Sequence, residues 1–348
     1  MIYWFRRLLQ GMGVIWGIVT LLFFIFYALG DPTSYIVGDQ ADEITRQAIR
    51  EKYGLDQPIH IQYLDYLHDL SPLGWIDSSQ TFIPPHLSLL NTSAGKLAIK
   101  QPDMGQSLQT REQVHVLLAQ RLEGTAILAI TALIFAAILG ILLGMMAALY
   151  QQRWPDRLIL STSVLGISAP SFFIGVFIAW LFAVKLRPLT GMNITGYLFE
   201  PHLFDSGRSL VLKNLVLPAL ALGIRPLAVF IQLTRSSMID VLQTDFIRTA
   251  KAKGLSTSRV ILVHALRNAL NPVLTSITGW LASLLAGAFF IEYIFNWRGI
   301  GKLMIDSLNT NDFPVILGCA MFIGGIFVVI NILTDSLYQF LDPRVKLR

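Results

Sequence analysis

An all-α membrane protein with six transmembrane helices is the fold class this sequence predicts, on three observations. The chain is 54% hydrophobic and only 14% charged, against roughly 25% charged for a typical soluble domain. Six runs are long and apolar enough to cross a bilayer, which takes about 20 residues as a helix. The Lys and Arg residues of the short connections then gather on one side, as membrane topology requires.

The first run, near Leu9–Leu29, follows Arg6 and Arg7. Ala28 and Gly30 resemble a small-residue cleavage site, but the apolar core exceeds the h-region of about 7–15 residues of a secretory signal, so a retained helix is expected. The other runs lie near Thr125–Tyr150, Leu158–Val184, Leu212–Leu233, Val273–Phe295 and Phe313–Leu333. Arg153 and Arg157 stand between the second and third. Arg235, Arg248, Lys251, Lys253, Arg259 and Arg267 stand between the fourth and fifth, and Arg344, Lys346 and Arg348 follow the sixth. With six spans these places share a side with Arg6 and Arg7, so both termini are expected in the cytoplasm. The net charge of +5 and pI of about 9.3 therefore point to a lipid bilayer and exclude nucleic acid as the partner. Trp4, Trp154 and Trp297 fall near span ends, where belt residues sit.

Three regions follow: residues 1–29 (tail and first span), 30–124 (a long external segment) and 125–348 (a five-helix core with a cytoplasmic loop at 235–271). The external segment holds seven Lys/Arg and twelve Asp/Glu and is acidic. Within it, "DEITRQAIREKYGLDQPIHIQYLDYLHDL" predicts two short amphipathic helices broken at Gly54 and Pro58, and "LSPLGWIDSSQTFIPPHLSLLNTSAGK" predicts loop. A cap or partner surface and a simple spacer both fit.

The basic stretch "DFIRTAKAKGLSTSRVILVHALRNALNPV" lies between the fourth and fifth spans. The preceding "TRSSMIDVLQTDFIRTAKAK" has no Gly or Pro, so the fourth span is expected to run out as helix to Gly254. There a left-handed residue ends it, and Ser256 caps the next helix, "TSRVILVHALRNAL". Val263, Leu266 and Leu270 at i, i+3 and i+7 give that helix an apolar side. Contact with anionic lipid would explain the charge. It would not explain Ala250, Ala252 and Gly254, which leave a bare backbone knuckle suited to a groove in another protein.

These residues carry a resemblance. "IRTAKAKGLSTSRVILVHALRNALNPVLT" resembles the cytoplasmic loop of permease subunits in binding-protein-dependent ABC importers, in the peptide/nickel (dipeptide and oligopeptide) permease family, B-type subunit. The general motif is Glu-Ala-Ala, three residues, Gly, nine residues, Ile, one residue, Leu-Pro. Here Arg248-Thr249-Ala250 replaces Glu-Ala-Ala, His264 replaces Ile, and Leu266-Arg267 replaces Leu-Pro, a variant common in that branch. "EKYGLDQPIHIQYLDYL", "GISAPSFFIGVFIAWLFAV", "LVLPALALG" with "LTRSSM", "GAFFIEYIFNWRGIGKLMIDSLNTNDFPV" and "NILTDSLYQFLDPRVK" extend the resemblance over almost the whole chain. "SPLGWIDSSQTFIPPHLSLLNTSAGKLAIK" has no counterpart and is read as an insertion.

The resemblance implies half of a translocation path for di- or oligopeptides, or a related solute such as a nickel chelate, in a bacterial or archaeal cytoplasmic membrane. It implies a heterodimer with a homologous second permease subunit, two cytoplasmic ATP-binding subunits that carry ATP and Mg, and an external solute-binding protein. It places the ATPase contact at Arg248, Thr249, Ala250, Lys251, Ala252, Lys253, Gly254 and Leu255, which would pass nucleotide-driven closure to the spans as a two-state lever. The chain itself is expected to bind no cofactor and catalyse nothing. The phosphate-cradling GxxxxGK[ST] is absent, Gly95-Lys96 and Gly301-Lys302 both being followed by Leu.

Three ionisable residues are path candidates. Arg225 falls mid-span beside Pro226, where a charge usually faces a bundle interior or aqueous cavity; it would meet substrate or a partner carboxylate, or pair with helix ends or a neighbouring acid. Glu292 would serve an external gate, or be an interfacial acid that reaches water. Asp335, four residues after Asn331 and hence on its helix face, would pair with basic loop residues or touch substrate. His60, His68, His86, His115 and His202 fall in external segments at spacings that fit no metal-ligand pattern. The single cysteine, Cys319, excludes an internal disulfide. An ion-gradient-driven transporter would show repeated halves with midplane carboxylates, and a membrane hydrolase would need a nucleophile, for which Ser171 or Ser283 could serve, with a His base in reach or an HExxH or GxSxG motif. Neither pattern occurs.

Overall fold

The computed structural model describes residues 2–28, 33, 42–52, 55–71, 73–76, 86–92, 95–100, 102–201 and 208–341. Two compact units divide the chain: Met1–Gly11, Arg121–Ile305 and Ile323–Arg348 form one, Met12–Gln120 and Asp306–Phe322 the other.

The helices follow the apolar runs, with ends set by local chemistry. α1 spans Ile2–Ala28 and contains the apolar stretch Leu9–Ile25. α2 (Glu43–Lys52) and α3 (Ile59–Leu70) are the two short amphipathic helices, with Pro58 at the N-cap position of α3; Gly54 lies outside the described residues. α4 (Val114–Leu149, 36 residues) begins well before the expected Thr125. α5 (Trp154–Ser168) and α6 (Ser171–Lys185) replace the single third span, because Pro170 bends the pair by 112°. α7 (Lys213–Leu242) carries Pro218 and Pro226 inside it. α8 (Asp245–Ala252), α9 (Thr257–Ala269) and α10 (Asn271–Gly287) follow, α9 and α10 meeting at 50° before Pro272. α11 (Phe289–Ile294), α12 (Ile300–Asn309) and α13 (Phe313–Leu341) are the last described helices.

Among the described residues, three helices are long and apolar enough to cross a membrane (α4, α7 and Phe313–Thr334 of α13), or five if each bent pair is one span.

One expectation is overturned in the acidic segment. The stretch read as loop forms an antiparallel sheet of β1 (Leu73–Ile76), β3 (Gly95–Lys100) and β2 (His86–Thr92), in that order. Thr92 pairs with Gly95 at the end of the β2–β3 ladder, so paired strand stands where loop was expected. Phe23 of α1 packs against Tyr63 and Tyr66 of α3 at ring separations of 5.2 and 5.6 Å. In the same unit, Asp312 before α13 accepts hydrogen bonds from Ser107 Oγ (2.5 Å) and the Leu108 N–H (3.0 Å).

In the larger unit the main core joins α4, α6, α7, α10 and α11 through Leu128, Ala132, Ile178, Leu217, Phe230, Leu284, Ile291 and Phe295. Small residues bring α4 onto α7. A Cβ on Gly144 would lie 2.6 Å from the Ile231 carbonyl oxygen and from Thr234 Cβ. Trp297 belongs to this core, only 2% exposed, with Nε1 donating to the Gly124 carbonyl at 2.8 Å. It is not a belt residue, unlike Trp154, which is 75% exposed.

Candidate coupling and translocation sites

The basic stretch forms a bent helical pair, but the bend is built differently from the expectation. The helix does not run unbroken to Gly254: α7 stops at Leu242, and Thr244 turns to extended geometry (φ −74°, ψ 155°). Its Oγ1 donates back to the Val241 carbonyl at 2.6 Å. A side chain that satisfies a terminal carbonyl ends a helix without Gly or Pro. Asp245 then opens α8, where a negative charge suits the helix N-terminus.

α8 ends as expected. Gly254 adopts φ +75°, the Gly254 N–H bonds the Lys251 carbonyl at 3.0 Å, and the Leu255 N–H reaches back toward the Ala250 carbonyl at 3.4 Å. Ser256 holds the N-cap position of α9, yet its side chain makes no capping bond. The apolar side of α9 is also displaced. Val260, Ala265 and Ala269 are buried, whereas Val263 is 51% exposed. Turns Val260–Ala265 are wound as π-helix, which rotates later residues away from the 3.6-residue pattern.

The underside of the bend is a small core of Ala148, Met238, Ile247, Ala250, Val260, Ala265 and Ala269. Its outer side presents Arg248, Thr249, Lys251, Ala252, Lys253 and Gly254, all exposed, with Leu255 half-buried. Among the described residues Arg248 makes an exposed 3.2 Å ion pair with Asp245 alone, and none of them lies within 4 Å of a Cβ built on Gly254. A rigid, cationic, small-residue tip is thus held out from an apolar footing.

Two polar stripes interrupt the apolar helices of this unit. Arg225 is exposed on α7, and no hydrogen bond or ion pair to it occurs among the described residues. Gln232 and Ser236 follow it at i+7 and i+11, one helix face. α10, packed against α7, carries Ser276, Gly279 and Ser283 at i, i+3 and i+7, and a Cβ on Gly279 would touch nothing.

Glu292 sits elsewhere, 0% exposed on α11. Oε1 accepts from Thr125 Oγ1 (2.7 Å) and Oε2 from the Lys302 N–H (3.0 Å). A Cβ on Gly299 would strike its carboxylate, and one on Gly301 would lie 3.0 Å from it. The motif "IEYIFNWRGIGK" therefore folds around its own acid: Glu292 organises the loop into α12 and is enclosed by it. Asp335 lies in α13, its side chain outside the described residues. His86 and His202 have no described side chain, and among the described residues no cluster is placed to hold a metal ion.

The polar pair that sequence reasoning missed is Asp156 and Arg235. Arg235 Nε donates to Asp156 Oδ1 at 2.6 Å and Nη2 to Oδ2 at 2.8 Å. An acid at the start of one apolar run and a base at the end of the next were its only traces.

Residues 140–347 match the family described as binding-protein-dependent transport system inner membrane component, and residues 1–77 match its N-terminal membrane component family. The chain belongs to the peptide family of binding-protein-dependent ABC importer permeases.

Among relatives of this permease is the glutathione transport system permease protein GsiC of Salmonella typhimurium, 34% identical over 331 residues, 94% of each chain. Another is the dipeptide transport system permease protein DppB of Alkalihalophilus pseudofirmus, 34% identical over 359 residues and 99% of each chain. The di/tripeptide transport system permease protein DppB of Pseudomonas aeruginosa is 36% identical over 344 residues, 94% of each chain. A solved structure of the methionine ABC transporter MetNI, in inward-facing conformations, aligns with TM-score 0.48 and 13% identity over 66% of this chain and 97% of that one. As an ABC permease, the chain is a membrane component without an ATPase site of its own, and its family works with ATP-binding subunits and a binding protein. That membership sets aside the gradient-driven and hydrolytic alternatives.

Proposed function

We propose that this permease forms half of a path for short peptides across a bacterial or archaeal cytoplasmic membrane, paired with a homologous second permease. Its spans number six, with both termini in the cytoplasm. The substrate reading rests on the relatives, whose names specify glutathione, dipeptides and di/tripeptides. ATP and Mg belong to the partner subunits, and an external binding protein delivers the peptide.

The observation that carries the mechanism is the bend Arg248–Leu255. Its underside is anchored through Ile247 and Ala250, and its tip at Gly254 is bare and open. Seated in a groove of an ATP-hydrolysing subunit, the bend moves as that subunit closes. Its apolar footing passes the movement to α4 and α7, shifting the path between inward- and outward-open states.

The path is lined by the Arg225, Gln232, Ser236 face of α7 and the Ser276, Gly279, Ser283 face of α10. An uncovered arginine at mid-bilayer costs about 2.5–3.5 kcal/mol on insertion scales, so water, substrate or a second permease must meet it. Asp335 is assigned to pairing with basic residues of the coupling region. Glu292 contributes to the gate as a fixed support.

The test is ATP-driven uptake of a labelled dipeptide or glutathione into proteoliposomes holding the whole importer. Gly254→Val should abolish uptake and weaken retention of the ATP-binding subunits. Normal uptake with full retention would remove the coupling assignment.

A further inference from the structure

We infer that the Asp156–Arg235 pair is a brace that makes α4, α5 and α7 move as one body when the coupling bend is driven, so that both are positioning residues for transport. The inference rests on the coupling role proposed above for Gly254 and its neighbours.

Arg235 stands ten residues before Asp245, near the end of α7 that receives the push. Its guanidinium meets the Asp156 carboxylate two-pronged, at 2.6 and 2.8 Å. The carboxylate is 3% exposed and the guanidinium side chain 22%. Such fork-on-fork pairs fix orientation as well as distance. Asp156 Oδ2 also accepts the Gln152 N–H at 2.8 Å, in the tight turn joining α4 to α5, where Gln152 takes φ +65°. One carboxylate therefore ties the α4–α5 turn, the first turn of α5 and the base of α7.

The packing around the pair leaves no slack. Ala147, Ile159 and Ile231, one residue from each helix, form a buried cluster. Gly144 lets α4 contact the Ile231 carbonyl and the Thr234 side chain of α7, and Gly166 brings α5 onto Ile224 and Ala228. A slide of α5 along α7 would break both ionic hydrogen bonds and leave Asp156 charged in a nearly dry site, which is strongly unfavourable. The three helices have one low-energy arrangement here. A displacement of α7 carries α4 and α5 with it.

The native chain has a single cysteine, Cys319, and it is buried, so a Cys319→Ala background permits a direct test. In that background, Asp156→Cys with Arg235→Cys is assembled into the complete importer in proteoliposomes, with or without a short reducible bis-thiol-reactive linker. The readout is labelled dipeptide transported per ATP hydrolysed. Unlinked, the ratio is expected to fall by about fivefold, the scale of one coupling contact. Linked, it should return to within about twofold of the parent, as a rigid body requires. Transport that stops on linking and resumes on reduction would show that α5 and α7 separate during the cycle, and would overturn the brace. Should the double variant not assemble, Asp156→Asn is measured the same way; an intact importer with an unchanged ratio overturns the inference equally. The Gly254→Val experiment tells the two failures apart: if it transports normally, the coupling reading is lost. If it fails while linking also stops transport, only the brace is lost.

Discussion

Thr125 of α4 donates a 2.7 Å hydrogen bond to the Glu292 carboxylate of α11 and, through the same oxygen, accepts the Ile300 N–H at 2.9 Å. One hydroxyl thus joins a buried acid to the first turn of α12. A hydrogen bond to a charged group contributes about 1.5–3 kcal/mol, and orphaned buried donors add to the loss. Glu292→Ala is expected to destabilise the permease on that order, read as earlier thermal aggregation of the detergent-purified complex.

Gly299 offers an independent test of the same site. Its missing side chain is the space that the Glu292 carboxylate fills. Gly299→Ala forces the acid out of its donors without changing any charge, so its melting should shift in the same direction as Glu292→Ala. The double variant should be much less than additive, because both changes dismantle one contact. Full additivity would separate the two residues and refute the assignment.

The α4–α7 contact at Gly144 is tighter. A Cβ there meets the Ile231 carbonyl and Thr234 Cβ at 2.6 Å, backbone and rigid side chain that have no room to retreat. Overpacking of this kind typically costs about 1–3 kcal/mol. Gly144→Leu should lower the yield of folded permease, scored by protease resistance of the membrane-inserted chain. Gly279→Ala, where a Cβ meets nothing, should leave resistance unchanged.

Much of this architecture was legible in the sequence, and the reasons for the misses are specific. Apolar runs located every long helix, because burial in lipid needs only composition and length. Helix ends set by side-chain chemistry were harder: Thr244 stopped α7 by bonding its own Val241 carbonyl, a competition that a search for Gly and Pro overlooks. Val263 was assigned to the buried side of α9 on a 3.6-residue period that the π-wound turn does not keep. The sheet of β1, β2 and β3 lay hidden under Pro- and Ser-rich flanks. The bend at Gly254 was readable, since a glycine after a helical run suits a left-handed end. Glu292 was not, since an acid near a span end reads the same whether it reaches water or is enclosed by Thr125, Gly299 and Lys302.

Arg225 separates stability from transport. It is exposed and takes no hydrogen bond or ion pair from the described residues, so among them nothing offsets the cost that the proposed mid-span position would carry. Arg225→Met is expected to keep or raise the stability of the isolated permease while peptide uptake by the assembled importer falls. A loss of stability with uptake per folded complex unchanged would make the residue structural.

Gly254 yields a graded prediction. Its φ of +75° belongs to the region where glycine is unstrained and asparagine is tolerated, whereas other side chains cost about 1–2 kcal/mol. A Cβ at that position meets no atom of this chain, so backbone strain and partner contact can be told apart by choice of residue. Gly254→Asn tests bulk at the tip with little strain. Gly254→Ala adds strain with little bulk. If the tip enters a groove of the ATP-binding subunit, Asn should release that subunit during affinity purification more readily than Ala does, although Ala lowers the melting temperature more. If the glycine only ends α8, the order reverses, and subunit retention follows strain alone.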